Sequence, residues 1–310
     1  MARLVTQPDT RGIETARAVK GRSLLADAQT RLFRNKAAVA GMAILATVAL
    51  MAIFAPMLSP YAFSDQDYNT IGCAPSWWLG EVRCRAGGAH WIGTDGVGRD
   101  LFVRTLYGAR ISLEVGLFAT FVSLSIGVIY GATAGFVGGR TDAVMMRIVD
   151  ILYSLPFIFM VIILMVIFNQ NFVLLFVAIG AVSWLTMARI VRGQTLSAKQ
   201  KEYVEAARAA GVSSFGIITR HIVPNVVGPV IVYVTLTIPE VILAESFLSF
   251  LGLGIREPYT SWGVLISEGA QQIETAPWAL VFPGVFMVLT LFCFNFIGDG
   301  LRDALDPKDR

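Results

Sequence analysis

Charge is scarce in this 310-residue chain: Asp, Glu, Lys and Arg make up 15% of it, where soluble domains carry about 25%. Hydrophobic residues reach 55% and the mean hydropathy is +0.65, which excludes a large soluble core and leaves a polytopic membrane protein. Histidine is nearly absent too. The only two are His90 and His221, and there is no H-E-x-x-H, so zincin chemistry is out. No G-x-S-x-G occurs, and no plausible nucleophile–base pair supports a membrane enzyme. Without a G-x-x-x-x-G-K-[ST] loop the chain cannot cradle ATP itself. Three cysteines in no metal-ligand spacing exclude a zinc site, and no basic run interleaved with aromatics suggests nucleic acid.

What is present is a series of long uncharged runs. Residues 1–36 are polar. The stretch to about Gly21 reads as disordered, and from Ser23 the residues Leu24, Leu25, Ala28, Leu32 and Phe33 fall on one helical face. That pattern fits an amphipathic helix on the membrane surface, with a loosely structured basic leader as the competing reading. Residues 37–58 carry no charge and suffice to cross a hydrocarbon core of about 30 Å. They are too long for a signal-peptide apolar region, so an uncleaved first span is expected. An outer segment, 59–105, follows.

Val115 to Gly139 is the next uncharged run, with Gly127, Gly131 and Gly135 at every fourth position, a stripe expected to let helices pack closely. Ile151 to Ala188 is too long for one span. Asn169-Gln170-Asn171 divides it into an expected hairpin, with Pro156 kinking the first arm. Val226–Gly254 and Thr275–Gly298 complete six spans, and 302–310 is a short charged tail.

Six spans place both termini on one side. With that side cytoplasmic, 19 of the 25 Lys and Arg residues lie inside, as the positive-inside rule requires. Trp77, Trp78, Trp91, Trp262 and Trp278 then fall in or beside outer segments, as interfacial anchors would. His90 and His221 lie on opposite sides.

The most informative stretch is the cytoplasmic island KEYVEAARAAGVSSFGIITRHIVPN, Lys201 to Asn225. Tyr203–Ala210 is helix-competent, Gly211 accepts a positive φ that ends the helix, and Ser213 or Ser214 can cap a second helix running to the helix-stopping Pro224. On these features alone it is either an ordinary loop or a rigid knob standing clear of the bilayer. Glu205-Ala206-Ala207, Gly211 and Pro224, at their spacing, resemble the EAA loop of ATP-binding-cassette (ABC) importer permeases. One departure is His221, where the family pattern usually has an aliphatic residue. ESFLSFLGLG (Glu245–Gly254), GDGLRDALDPKDR (Gly298–Arg310) and GTDGVGRD (Gly93–Asp100) resemble the oligopeptide/dipeptide branch of that family, and the likeness runs from Arg34 onward.

The resemblance implies an all-α type I importer fold with a core over 106–301 and an ATPase-coupling loop at 193–224. It implies a multi-pass protein of the bacterial inner membrane carrying oligopeptides. It also implies a homologous second permease subunit, two ABC ATPase subunits that hold the ATP and magnesium, and a periplasmic peptide-binding protein docking on 59–104 or 252–276. No cofactor is expected on this chain. An ion-coupled secondary transporter is the alternative. It would use Glu240 and Glu245, but no internal repeat supports it.

Those two carboxylates are candidates for the translocation path. At five residues' separation they point about 140° apart on a helix and cannot face one partner. At least one of them is expected to line the path at the subunit interface, with a packing hydrogen bond near the outer mouth as the bland alternative. Cys73 and Cys84 flank APSWWLGEVR in an oxidising compartment and are expected to be bridged, two free thiols being the competing reading. Cys293 is read as a lone buried thiol.

Overall fold

The computed structural model describes residues 24–77, 90–168 and 172–305. Among them the chain is helical, and one isolated bridge, Thr94 to Asp100, is the only strand-like pairing. The helices are α1 (Leu24–Arg34), α2 (Lys36–Ile53), α3 (Ala55–Leu58), α4 (Leu101–Val137), α5 (Gly139–Tyr153) and α6 (Phe157–Ile167). They continue with α7 (Phe172–Ala198), α8 (Glu202–Ala209), α9 (Ser214–Ile217), α10 (Val223–Phe250), α11 (Trp262–Ala270) and α12 (Trp278–Leu305). Among the described residues five helices are long and apolar enough to cross a membrane, or six spans if the bent pair α5–α6 counts as one.

The surface helix expected from Ser23 is α1. It meets α2 at Asn35, whose side chain accepts from the Ala37 and Ala38 amides. It also lies against the end of α12, where Gly300 leaves room for Ala38 and Leu32. The leader before Leu24 lies outside the described residues.

α4 begins well before its uncharged run. Asp100 caps it by accepting from the Val103 amide at 2.9 Å, and Arg110 and Glu114 pair one turn apart at 3.1 Å. Its 37 residues span about 55 Å, so its outer turns stand beyond the hydrocarbon. The glycine stripe packs as expected: a Cβ at Gly127 would strike Met187, at Gly131 the Ala188 carbonyl, and at Gly135 the Arg192 carbonyl. The stripe is therefore the α4–α7 contact.

The expected hairpin differs in its first arm. The chain bends by 85° between α5 and α6, around Ser154-Leu155-Pro156, and α6 alone has 11 residues, about 16 Å of rise. Proline cannot supply the amide that would carry α5 forward. α5 is instead held by polar contacts: Arg192 donates to the two Asp142 carboxylate oxygens through Nε and Nη2 at 2.5 and 2.6 Å, and Arg189 donates to Asp150 at 2.8 Å. The break at 169–171 lies outside the described residues.

Pro224 does not stop a helix. The chain stays helical from Ser214 to Phe250, with a π turn at Ile218–Ile222 leading into α10. Pro224 occupies the first turn of α10, where a missing amide costs little. α12 likewise runs past its uncharged stretch and takes Asp299, Arg302 and Asp303 into its last turns.

Two tryptophans are not interfacial anchors. Trp262 is fully buried and its indole N–H donates to the Thr105 carbonyl at 3.2 Å, while Trp278 is buried against Ala74, Leu101 and Ala279. Trp77 and Trp91 are exposed, and Trp78 lies outside the described residues. The spans themselves keep large apolar side chains outward, among them Phe118, Phe121 and Ile129 on α4 and Val285, Phe292 and Phe296 on α12. Such continuous apolar surface belongs against lipid or another apolar subunit.

Candidate functional site

The island at Lys201–Asn225 folds as a knob against α4, α7 and α10, at the Val137 end of α4. α8 ends in a Schellman turn: the Gly211 amide donates to the Arg208 carbonyl at 3.0 Å and the Val212 amide to the Ala207 carbonyl at 3.1 Å. Gly211 has φ +77°, the positive value expected of it, and nothing crowds the place a Cβ would occupy. Ser213 then caps α9 by accepting from the Gly216 amide at 3.2 Å.

Val204 and Ala207 of α8 are buried in a cluster with Phe136 of α4, Val191 of α7, Ile222 of the π turn and Val226 of α10. The opposite face, with Glu205, Ala206 and Tyr203, is exposed, as is Phe215 of α9. The three residues of the EAA signature thus divide. Glu205 and Ala206 face outward, whereas Ala207 fills the chain's own interior rather than a partner's groove. Arg208 lays its guanidinium 5.2 Å from the Phe136 ring centre, and Lys199 donates to the Gly135 carbonyl at 2.9 Å. These contacts fasten the knob to α4 and α7.

Glu240 and Glu245 separate as their spacing requires. Glu245 is fully buried; Ser249 Oγ and Ser261 Oγ donate to its Oε1 at 2.6 and 2.7 Å, and Ser112 Oγ lies 3.5 Å from Oε2. Ser261 also caps α11, and the Trp262 amide donates to Ser112 Oγ at 3.1 Å, so this carboxylate ties α4, α10 and α11 together. Glu240 is exposed on the other side of α10 and lines a cavity of about 560 Å³. The α5–α6 bend, α7 and α10 form its walls, and Ser154, Ser183, Thr186, Tyr233 and Thr237 place hydroxyls along them. The kink expected at Pro156 supplies one wall, but the cavity was not legible in the sequence, because its other walls come from α7 and α10.

GTDGVGRD forms a clasp at the N-terminal end of α4, the end away from the knob. Asp95 accepts from the Val97 and Arg99 amides and takes Arg99 Nε at 2.6 Å; Arg99 reaches Glu257 at 2.6 Å, and Arg104 reaches Glu268 at 3.1 Å. Burial works against the charge of Arg99, but Glu257 and Asp95 outweigh it and hold the guanidinium above its ordinary value. Burial pushes the Glu268 carboxyl up, offset in part by Arg104 and Arg99. Gly98, at φ +80°, sits where a Cβ would run into the Asp67 carbonyl. His90 Nδ1 pairs with Asp100 at 2.8 Å. Lone arginines flanking a glycine-rich turn were the only sequence signal for this clasp. Cys73 is disulfide-bonded and Cys293 is a free, buried thiol; Cys84 lies outside the described residues.

Residues 127–310 match the family described as binding-protein-dependent transport system inner membrane component, and 23–75 match the N-terminal TM domain of oligopeptide transport permease C. The chain is 56% identical to the oligopeptide transport system permease protein OppC of Haemophilus influenzae over 292 residues, covering 94% of this chain and 91% of that one. The protein of the same name from Escherichia coli K12 is also 56% identical, with 94% of each chain covered. The dipeptide transport system permease protein DppC of Bacillus subtilis is 48% identical over 92% of this chain and 86% of its own.

Proposed function

The chain belongs to the binding-protein-dependent transport system inner membrane components, the permeases of ABC importers, and from that premise we propose that it carries oligopeptides inward on ATP hydrolysed by separate ATPase subunits. It is an all-α, multi-pass membrane protein of the type I importer fold and not an enzyme. The observation that carries the coupling role is the knob. Its inner face is locked into α4, α7 and α10, and its outer face presents Glu205, Ala206 and Tyr203. A body so fixed moves three helices when its partner moves, provided the Gly211 corner holds its shape.

In this reading both termini are cytoplasmic, as the lysine and arginine distribution favours. Two ATPase subunits dock at the knob with their ATP and magnesium, and this chain holds no cofactor. A homologous permease subunit faces α5, α6 and α10, and the peptide passes between the two, past Glu240. A periplasmic peptide-binding protein docks on the outer end, which the clasp keeps rigid and a Cys73–Cys84 bridge would stiffen further. Purified with these partners and reconstituted in vesicles, the complex should accumulate peptide only with ATP and binding protein. Accumulation driven by an ion gradient without ATP would overturn the reading in favour of a secondary transporter.

A further inference from the structure

Among the described residues, Glu240 is the only carboxylate lining the cavity, and no lysine, arginine or histidine lines it with the glutamate. Arg189, which stacks 4.2 Å from the ring centre of cavity-lining Tyr153, is committed to Asp150. An acid at membrane depth normally faces a cavity or a partner, and a cleft with one sign of charge and apolar walls concentrates counter-ions. The walls give a second, independent indication. At the α5–α6 bend the backbone of Ser154 to Pro156 is irregular and lines the same space. Non-helical backbone at this depth is tolerated only where it is buried in protein or borders a hydrated cavity. The volume lies within the range of about 300–1,000 Å³ usual for small-molecule sites.

We propose that this cavity is a cation subsite on the peptide path, in which Glu240 receives the ammonium or guanidinium groups of a passing peptide while the wall hydroxyls solvate its backbone. The proposal rests on the peptide-permease reading and adds a charge preference to it. Ser249 and Ser261 hold Glu245 on the opposite side of the helix, so Glu240 alone supplies the negative charge.

The test places a reporter thiol one turn from Glu240 in the assembled complex, as Ala244→Cys with Cys293→Ala, and follows its labelling by peptide mass spectrometry. The probes are a cationic trimethylammonium and an anionic sulfonate methanethiosulfonate. With each rate divided by that probe's rate with a free thiol in solution, the cationic probe should react about tenfold faster, the lower end of what a charged cleft achieves, and Glu240→Gln should erase that residual difference. Ser183→Cys, on the facing helix, repeats the measurement should Ala244→Cys misfold. Uptake of Lys-Lys-Lys against Glu-Glu-Glu gives a second readout; the ratio should fall about tenfold in Glu240→Gln relative to the parent, a comparison that cancels any preference of the binding protein. An unlabelled thiol in both positions would mean that the partner permease fills the cavity, and would overturn the proposal. So would labelling without charge preference, a preference that survives Glu240→Gln, or an unchanged uptake ratio. A complex that moves neither peptide refutes the peptide reading, whereas the labelling rates still decide the subsite.

Discussion

At the scale of single residues, the two carboxylates of α10 show what sequence can and cannot resolve. Helical spacing alone separated Glu240 from Glu245, and they do face different surroundings: one a cavity, the other a buried ring of serines. Which one faced inward was not legible, because Ser112 and Ser261 come from α4 and the α11 cap, far away in sequence. The chemistry of that ring is testable. Removing the carboxylate in Glu245→Ala leaves two buried hydroxyl donors without an acceptor, which should cost about 1–3 kcal/mol. Glu245→Gln keeps a carbonyl oxygen for Ser249 and Ser261 and should lose much less. Thermal unfolding in detergent distinguishes them; equal midpoints for the parent and Glu245→Ala would mean that the ring does not hold α11 in place.

At the scale of elements, the knob was the most readable part of the chain. Gly211 adopts the positive φ expected of it, and Ser213 caps the second helix. Pro224 was misjudged because a proline in a first turn and a proline that ends a helix look alike in sequence; only the π turn before it tells them apart. The alanines could not be distinguished either, since both are small and adjacent. Their burial makes a prediction. Ala207→Leu must force extra volume into a filled cluster with Phe136 and Val191, and should destabilise the chain by about 1–3 kcal/mol. Ala206→Leu, on the exposed face, should leave the melting temperature unchanged and weaken co-purification with the ATPase subunits. If both variants bind ATPase normally, the outer face of α8 is not a docking surface.

At the scale of the whole molecule, composition and charge placement specified a helical membrane protein, and the five long helices and the bent pair meet that expectation. A kink at Pro156 was readable, but its 85° size and the outer clasp were not, since they rest on pairs distant in sequence such as Asp142 with Arg192 and Arg99 with Glu257. The clasp fixes α4 and α11 at the outer end, while the knob fixes α4, α7 and α10 at the inner end. In the proposed reading, α4 is the element that joins the two fastenings and would carry a signal from binding protein to ATPase. The most direct test is ATP hydrolysis by the reconstituted complex, measured with and without peptide-loaded binding protein, for the parent, Glu205→Lys and Gly211→Val. A β-branched residue at φ +77° costs about 1–2 kcal/mol and should deform the Schellman corner. Both variants are expected to insert and assemble, yet to lose the rise in hydrolysis that loaded binding protein produces in the parent. Full stimulation in both assembled variants would contradict the claim that this knob couples ATP to transport.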